Sequence, residues 1–323
     1  MRLAPDRAPA WPRTRLSARG GAAPVSRDPK ARLIGQYLSL AERAHGPPPP
    51  SLDCEAVPDE VLENGLPILS VVIPTRNEAG NIEPLVRRLG SALEDLSGGW
   101  ELVFVDDSDD TTPGTVEHLA GETDQRITLL HRGPGQRDGG LGGAVKLGFS
   151  KASGRVIAVM DADLQHPPEI LPALVSPVLS GQCDLAVGNR YGFLGGRDGL
   201  AGPLRHVIAI SCRFLAHRLV PTSRAISDPM SGLFALERSV VDRAQLRPEG
   251  YKILLEIVAR GDWHSASNVP YRFDERYSGQ SKARFREGLV FLRHLWHLWL
   301  VGRSKEEPSA KASALGPAED GPN

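Results

Sequence analysis

The chain has only three cysteines in 323 residues, Cys54, Cys183 and Cys212. They are odd in number, far apart and without a Cys-x-x-Cys spacing, which argues against a disulfide framework or a cysteine zinc site and for a reducing compartment. Charge of one sign is also lacking. With 38 Lys and Arg against 39 Asp and Glu, the formal net charge is −1, so no global pull toward nucleic acid or membrane is expected. No apolar run approaches the roughly 20 residues of a spanning helix, so no transmembrane segment is expected. No apolar core of a secretory leader is seen either. The loop after the first expected strand, Pro74-Thr75-Arg76-Asn77-Glu78-Ala79-Gly80, has no Gly-x-Gly-x-x-Gly. That disfavours a dinucleotide-binding oxidoreductase.

What is present is unevenly distributed. Residues 1–50 hold nine Lys/Arg against three Asp/Glu and end in Pro47-Pro48-Pro49-Pro50. No helical or strand period is sustained there, so residues 1–64 read as a basic, mostly disordered arm rather than a targeting peptide. A globular domain is expected over 65–284, an amphipathic helix over 285–302 and a disordered tail over 303–323.

From Leu66 strands and helices alternate. Ile68–Pro74 is a continuous apolar strand, and Ile82, Leu85, Val86, Leu89 and Leu93 mark one face of a helix. Strands follow at Glu101–Val105, Ile127–His131, Arg155–Met160 and Asp184–Gly188, with helices near Thr115–Ala120, Gly139–Ser150 and Glu169–Leu179. This alternation implies an α/β, doubly wound and mostly parallel sheet. Ligands of such sheets lie beyond the C-terminal strand ends. Glu78, Asp106/Asp107 and Asp161/Asp163 all fall there.

The segment Asp161-Ala162-Asp163-Leu164-Gln165 carries the sharpest chemistry. Along an extended chain residues 161, 163 and 165 point the same way. Two carboxylates and an amide oxygen suit Mg²⁺ or Mn²⁺ rather than zinc. Such a cation can hold a diphosphate leaving group. The alternative is a solvated turn that happens to hold two acids.

Two later segments are amphipathic. Leu204–Val220 combines Leu204, Val207, Ile208, Leu215 and Leu219 with Arg205, His206, Arg213, His217 and Arg218. Phe285–Val301 combines Leu289, Leu292, Trp296, Trp299 and Leu300 with Arg293, His294 and His297. Each reads either as a helix packed on the domain or as one lying in a membrane interface.

Together, Val71-Val72-Ile73-Pro74-Thr75-Arg76-Asn77-Glu78, Val105-Asp106-Asp107-Ser108 and Asp161-Ala162-Asp163-Leu164-Gln165 resemble family 2 glycosyltransferases of GT-A (Rossmann-like) fold. Gly188-Asn189-Arg190-Tyr191, Ser227–Phe234, Gly250–Glu256 and Arg276-Tyr277-Ser278-Gly279-Gln280-Ser281-Lys282 are similar to the dolichol-phosphate (polyprenol-phosphate) mannosyltransferases. The resemblance covers about residues 66–300, and the late motifs are the more specific ones. It implies inverting transfer of mannose from GDP-mannose to a polyprenyl or dolichyl phosphate without a covalent intermediate. It implies a nucleoside pocket at Pro74, Arg76, Glu78, Val105 and Asp107, and Mg²⁺ or Mn²⁺ on Asp161, Asp163 and Gln165, with Ala162 beside them. Arg190, Lys252, Arg276 and Lys282 would contact diphosphate, sugar or acceptor phosphate, and Arg205 the lipid phosphate. Asp163 and Arg190 would be the catalytic pair. Three departures stand out: Arg76 where a tyrosine is common, Asn189 in place of serine, and Gln280 in place of glutamate.

The absence of an obvious nucleophile–base pair agrees with an acceptor that is already an anion. Relatives of this kind imply a peripheral position on the cytoplasmic face of a membrane, with or without a separate anchoring protein. A UDP-sugar donor keeps the same chemistry, since base and sugar are read by pocket details. A nucleotidyltransferase would need a Gly-rich basic loop after the first strand, and Pro74–Gly80 has only Arg76. A non-catalytic scaffold sits poorly with intact metal ligands and basic loop residues.

Overall fold

The computed structural model describes residues 65–190, 203–248, 250–272 and 285–306; for 203–210, 285–289 and 301–306 the description is of backbone alone. Strand β1 (Leu69–Thr75) is the buried centre from which the rest is built. Its residues are apolar on both faces, as expected of a parallel strand covered on both sides by helices. Helix α1 (Ala79–Ala92) returns the chain and buries Ile82, Leu85, Val86 and Leu89. Strand β2 (Trp100–Asp106), helix α2 (Thr112–Glu122), strand β3 (Arg126–His131), helix α3 (Gly140–Lys151) and strand β4 (Val156–Val159) repeat the pattern. Helix α4 (Leu171–Leu179) leads to strand β5 (Leu185–Asn189). The expected strands and helices up to Asn189 are all present, shifted by a few residues at their ends.

After Asn189 the alternation stops. Helix α5 (Pro203–Leu219) is followed by strand β6 (Phe234–Glu237), short helix α6 (Ser239–Asp242), helix α7 (Ile253–Arg260), strand β7 (Ala266–Pro270) and helix α8 (Phe285–Glu306). Helix α8 continues four residues past the expected boundary at 302. Strands β6 and β7 and helix α7 were not anticipated. Both strands are short, and β7 reads Ala-Ser-Asn-Val-Pro, with little strand propensity.

The seven strands form one sheet in the order β3-β2-β1-β4-β6-β5-β7. Strands β1–β4 are parallel, β6 is antiparallel to both β4 and β5, and β5 pairs in parallel with β7. The inverted strand decides the site. Val159 pairs with Phe234 across the antiparallel ladder, so the residues leaving β4 meet those entering β6. Continuing that register by two positions brings Asp161 to Gly232. On the other side Val187 pairs with Phe234 and Asn189 with Pro270, which leads Arg190 toward Ser231 and Tyr271.

The main core joins Val72, Val103, Val105, Ile157, Phe234, Leu236 and Ile257 across these strands and helices. Truncating one such Leu or Ile to Ala costs about 2–5 kcal/mol. A second cluster, Ala216, Val220, Met230, Leu255, Phe291, Leu295 and Leu298, fastens α5 and α8 to α7. Among the described residues, no helix is long and apolar enough to cross a membrane. The arm at 1–64, the tail beyond 306 and the residues between 273 and 284 lie outside the described residues.

Candidate active site

A cleft of about 420 Å³ opens beyond the C-terminal ends of β1, β2 and β4. Pro74, Thr75, Arg76 and Glu78 come from the loop after β1, Asp107 from that after β2, and Asp161, Ala162 and Asp163 from that after β4. Gly140, Leu141 and Ala144 of α3, with Gly250, Tyr251 and Val290, close the opposite wall. The sheet therefore gathers most of the expected nucleoside and metal residues at one place.

The loops are tied together by acids behind the cleft and on its wall. Asp106 is wholly buried and accepts hydrogen bonds from Thr75 Oγ1 at 2.8 Å and Ser108 Oγ at 2.5 Å, and lies 2.7 Å from His131 Nδ1. One carboxylate thus joins the ends of three strands. Asn77 takes a left-handed conformation, φ 55°, which asparagine tolerates. Its N–H donates to Ser108 Oγ at 2.7 Å, and its side-chain oxygen accepts from the Asp109 N–H at 2.9 Å. Asp107 receives two hydrogen bonds from Arg132, Nε to Oδ1 at 2.7 Å and Nη2 to Oδ2 at 2.6 Å. Both groups are buried, and breaking such a pair costs about 3–5 kcal/mol because one charge is stranded. Arg132 was not among the expected residues. It follows β3 as the acids follow their strands, and that position was the available signal. Arg137, likewise unanticipated, lines the cleft and pairs with Asp109 at 2.7 Å.

Val105 does not line the cleft. Its side chain is fully buried in the main core beside Val72 and Val103, directly across the ladder from Pro74, which does line the cleft.

The acidic segment differs in shape from its expectation. Strand β4 ends at Val159, Ala162-Asp163 is a turn, and Leu164 has φ 61°. Residues 161, 163 and 165 are therefore not aligned by strand alternation. Asp161 and Asp163 nevertheless both line the cleft, whereas Gln165 does not. The Gln165 main-chain N–H instead donates to Asp163 Oδ1 at 3.1 Å, closing the turn. Among the described residues, no group of three or more His, Cys, Asp or Glu forms a metal cage. Two carboxylates facing an open cleft still fit Mg²⁺ or Mn²⁺, which take one or two carboxylates and fill other positions with water and phosphate oxygens.

A second, smaller cavity of about 120 Å³ is shared by Asp161, His166, Arg190, Ser231, Gly232, Tyr251 and Lys252. Here the inverted strand takes effect. A Cβ on Gly232 would sit 2.5 Å from Asp161 Oδ2 and 3.2 Å from His166 Cε1, so any larger residue there displaces the Asp161 carboxylate. His166 is buried, its Nδ1 facing the Asp161 N–H at 3.4 Å, and its ring meets Tyr271 edge-on with centroids 5.7 Å apart. Burial lowers its pKa to about 4, so it is neutral at pH 7. Arg190 Nε lies 2.8 Å from Oδ2 of Asp228, which is wholly buried. Lys252 Nζ donates to the Met230 carbonyl at 3.0 Å and stands 4.6 Å from the Tyr251 ring centre. Burial, with Arg190 nearby, lowers its pKa to about 8. The expected cations Arg190 and Lys252 thus converge beside Asp161. Of the others, Arg276 and Lys282 lie outside the described residues, and Arg205 lies on α5 where only the backbone is described.

A sheet of this order, with an acidic cleft at its parallel end and an inverted strand beside it, defines a GT-A fold. Two solved structures share it. Mannosyl-3-phosphoglycerate synthase from Rubrobacter xylanophilus matches with a TM-score of 0.53 at 16% identity, over 79% of this chain and 80% of that one. Glucosyl-3-phosphoglycerate synthase from Mycobacterium tuberculosis, in complex with Mn²⁺, UDP and phosphoglyceric acid, matches with 0.52 at 21%, over 75% and 80%. The model for "Glycosyl transferase family 2" matches residues 70–243, and this chain belongs to that family. A dolichol-phosphate mannosyltransferase of Saccharomyces cerevisiae is 34% identical over 72% of this chain and 86% of its own length. Its counterpart in Mycosarcoma maydis is 36% identical over 72% and 78%. The enzyme of that name from Pyrococcus furiosus is 38% identical over 71% of this chain, which spans 63% of that relative's length.

Proposed function

We propose that this glycosyltransferase moves mannose from GDP-mannose to a polyprenyl phosphate of dolichyl type. The observation that carries the reading is that two acids of the cleft and two cations of the smaller cavity adjoin through Asp161, which lines both. Asp161 and Asp163 come from the parallel half of the sheet and Arg190 and Lys252 from the inverted half. The names of the relatives support a lipid-phosphate acceptor and mannose as the sugar.

Asp161 and Asp163 would hold Mg²⁺ or Mn²⁺, which when bound supplies positive charge for the diphosphate leaving group. Pro74, Arg76, Glu78 and Asp107 would receive the nucleoside, Asp107 fixed by Arg132. An acceptor phosphate oxygen attacks the anomeric carbon from the face opposite the diphosphate. The C–O bond to the diphosphate breaks and its electron pair leaves with the nucleoside diphosphate, inverting the centre. Arg190, anchored by Asp228, and Lys252 stabilise charge on the phosphates flanking that carbon. The acceptor is already ionised, so no protein base need take a proton. Arg276, Lys282 and Arg205 are assigned to phosphate contacts by motif alone.

Helices α5 and α8 support a membrane surface as the place of reaction. Leu292, Trp296 and Leu300 recur every four residues on α8 and are about half exposed, with Arg293 and His297 exposed beside them. Phe214 of α5 is 71% exposed. Apolar side chains among basic ones suit the headgroup boundary of the anionic cytoplasmic leaflet. The opposite face of α8 packs on the domain, so the packing reading and the interface reading are compatible. A separate anchoring protein can share this surface.

The test is transfer of labelled sugar to a short polyprenyl phosphate with Mg²⁺ or Mn²⁺ and parallel GDP-mannose, UDP-glucose and UDP-N-acetylglucosamine. Label in the lipid phase from GDP-mannose alone is expected. Label from a UDP-sugar alone overturns the donor, and loss of metal dependence overturns the role of Asp161 and Asp163.

A further inference from the structure

Helix α8 touches the cleft as well as solvent. Its Val290 lines the cleft beside Gly250 and Tyr251. Gly250 has φ +78°, and a Cβ there would come within 3.0 Å of Val290 Cγ1. One turn further along α8, His294 is 2% exposed and its Nε2 lies 2.8 Å from Oε2 of Glu256, which is wholly buried. Among the described residues, His294 Nδ1 has no hydrogen-bond partner, so the polar contact of the ring is with Glu256.

Glu256 lies in the first turn of α7, four residues after Lys252. Its other oxygen accepts from the Arg247 N–H at 2.7 Å and faces Arg260 Nε at 2.7 Å. One carboxylate therefore ties together the chain before the Tyr251 loop, the helix after it, and α8 across from it. Between these ties run Gly250, Tyr251 and Lys252, which carry cleft wall and cation. Met230, whose carbonyl holds Lys252, packs in one cluster with Leu255, Phe291 and Leu295. A buried polar pair is a weak stabiliser beside well-packed apolar residues of the same volume. Its hydrogen bonds instead single out one register between two helices.

We infer that His294 is a positioning residue: through Glu256 it holds the Gly250–Lys252 wall against α8 and sets where Lys252 stands at the donor site. This rests on the reading of the cleft as a sugar-nucleotide site. The full chain is compared with His294→Leu, which fills the space without a hydrogen bond, and His294→Gln, which restores a donor.

Amide hydrogen exchange over residues 250–256, measured without substrate, is expected to quicken about tenfold in His294→Leu while β1 is unchanged. The ratio kcat/KM for the nucleotide-sugar is expected to fall about tenfold, since small displacements far from the chemistry are costly. His294→Gln is expected to recover most of both. Wild-type exchange and transfer in a folded His294→Leu would overturn the inference, as would a Gln variant no better than Leu. If His294→Leu does not fold, His294→Gln decides alone: wild-type values support the inference, and a tenfold loss in either readout despite its donor overturns it. If the wild-type chain transfers no sugar, the donor-site reading fails and the exchange measurement still judges the contact.

Discussion

The two halves of the sheet build their share of the cleft in different ways. Strands β1, β2 and β4 deliver acids, each within four residues of the end of a buried strand, so a parallel sheet carries them to one edge. The cations Arg190 and Lys252 come from β5 and from the loop before α7, and β6, which runs the other way, brings them to Asp161. The first half is assembled by repetition and the second by a single inversion. Acids can therefore be located from their distance to a strand end, while cations need the register of a four-residue strand.

The largest expected effect is at the acidic side. Asp163→Ala is expected to lower transfer about 10³-fold, with thermal unfolding little changed, because the proposed metal loses a ligand while the core is untouched. A folded variant with wild-type turnover would remove the metal from the site.

Breaking the cationic side is expected to damage both function and fold. Arg190→Met strands Asp228 in the interior and is expected to cost about 3–5 kcal/mol, or roughly 10 °C in melting temperature, together with activity. Adding Asp228→Leu is expected to return the stability and not the activity. Return of both would make the pair purely structural.

Lys252 sharpens the contrast through pH. Its pKa is lowered by burial from 10.5 to about 8. The native state therefore holds fewer protons than the unfolded chain between about pH 8 and 10.5, and this group's contribution to stability rises with pH across that window. Its proposed function has the opposite sign, since phosphate binding needs the ammonium. The kcat/KM profile is expected to fall above pH about 8. In Lys252→Met that limb is expected to vanish at a lower plateau, with a higher melting temperature at pH 7. An unaltered profile would sink the assignment.

The smallest effect is expected at the outer face of α8. Trp296→Ser is expected to weaken binding to anionic vesicles roughly tenfold in a sedimentation assay while leaving the melting temperature within a few degrees. Unchanged sedimentation would leave α8 a packing helix only.

The regular half was legible because its signals are local. An apolar run as short as Ile68–Pro74 reads as a buried strand, and the polar break after it marks the strand's end. Val105 stood in a recognised motif, but a motif names residues without saying which of them reach the surface of the cleft. The alignment of residues 161, 163 and 165 differs from an extended strand because β4 ends at Val159, the chain turns at Ala162-Asp163 and Leu164 is left-handed, and nothing in a leucine announces that. Asp228, Gly232 and Tyr271 lay inside or beside recognised segments, yet no spacing rule assigned them a task.

The sequence by itself determined the class of fold, the alternation up to Asn189 and the edge at which the acids gather. These follow from side-chain period and chain direction, which act over a few residues. Only the tertiary structure decided that Gly232 abuts the Asp161 carboxylate, that Arg132 fixes Asp107, that Asp228 fixes Arg190 and that α8 lines the cleft through Val290 and meets Glu256 through His294. Each joins groups 25 or more residues apart, and such contacts depend on the pairing of strands and the packing of helices rather than on any local preference of the chain.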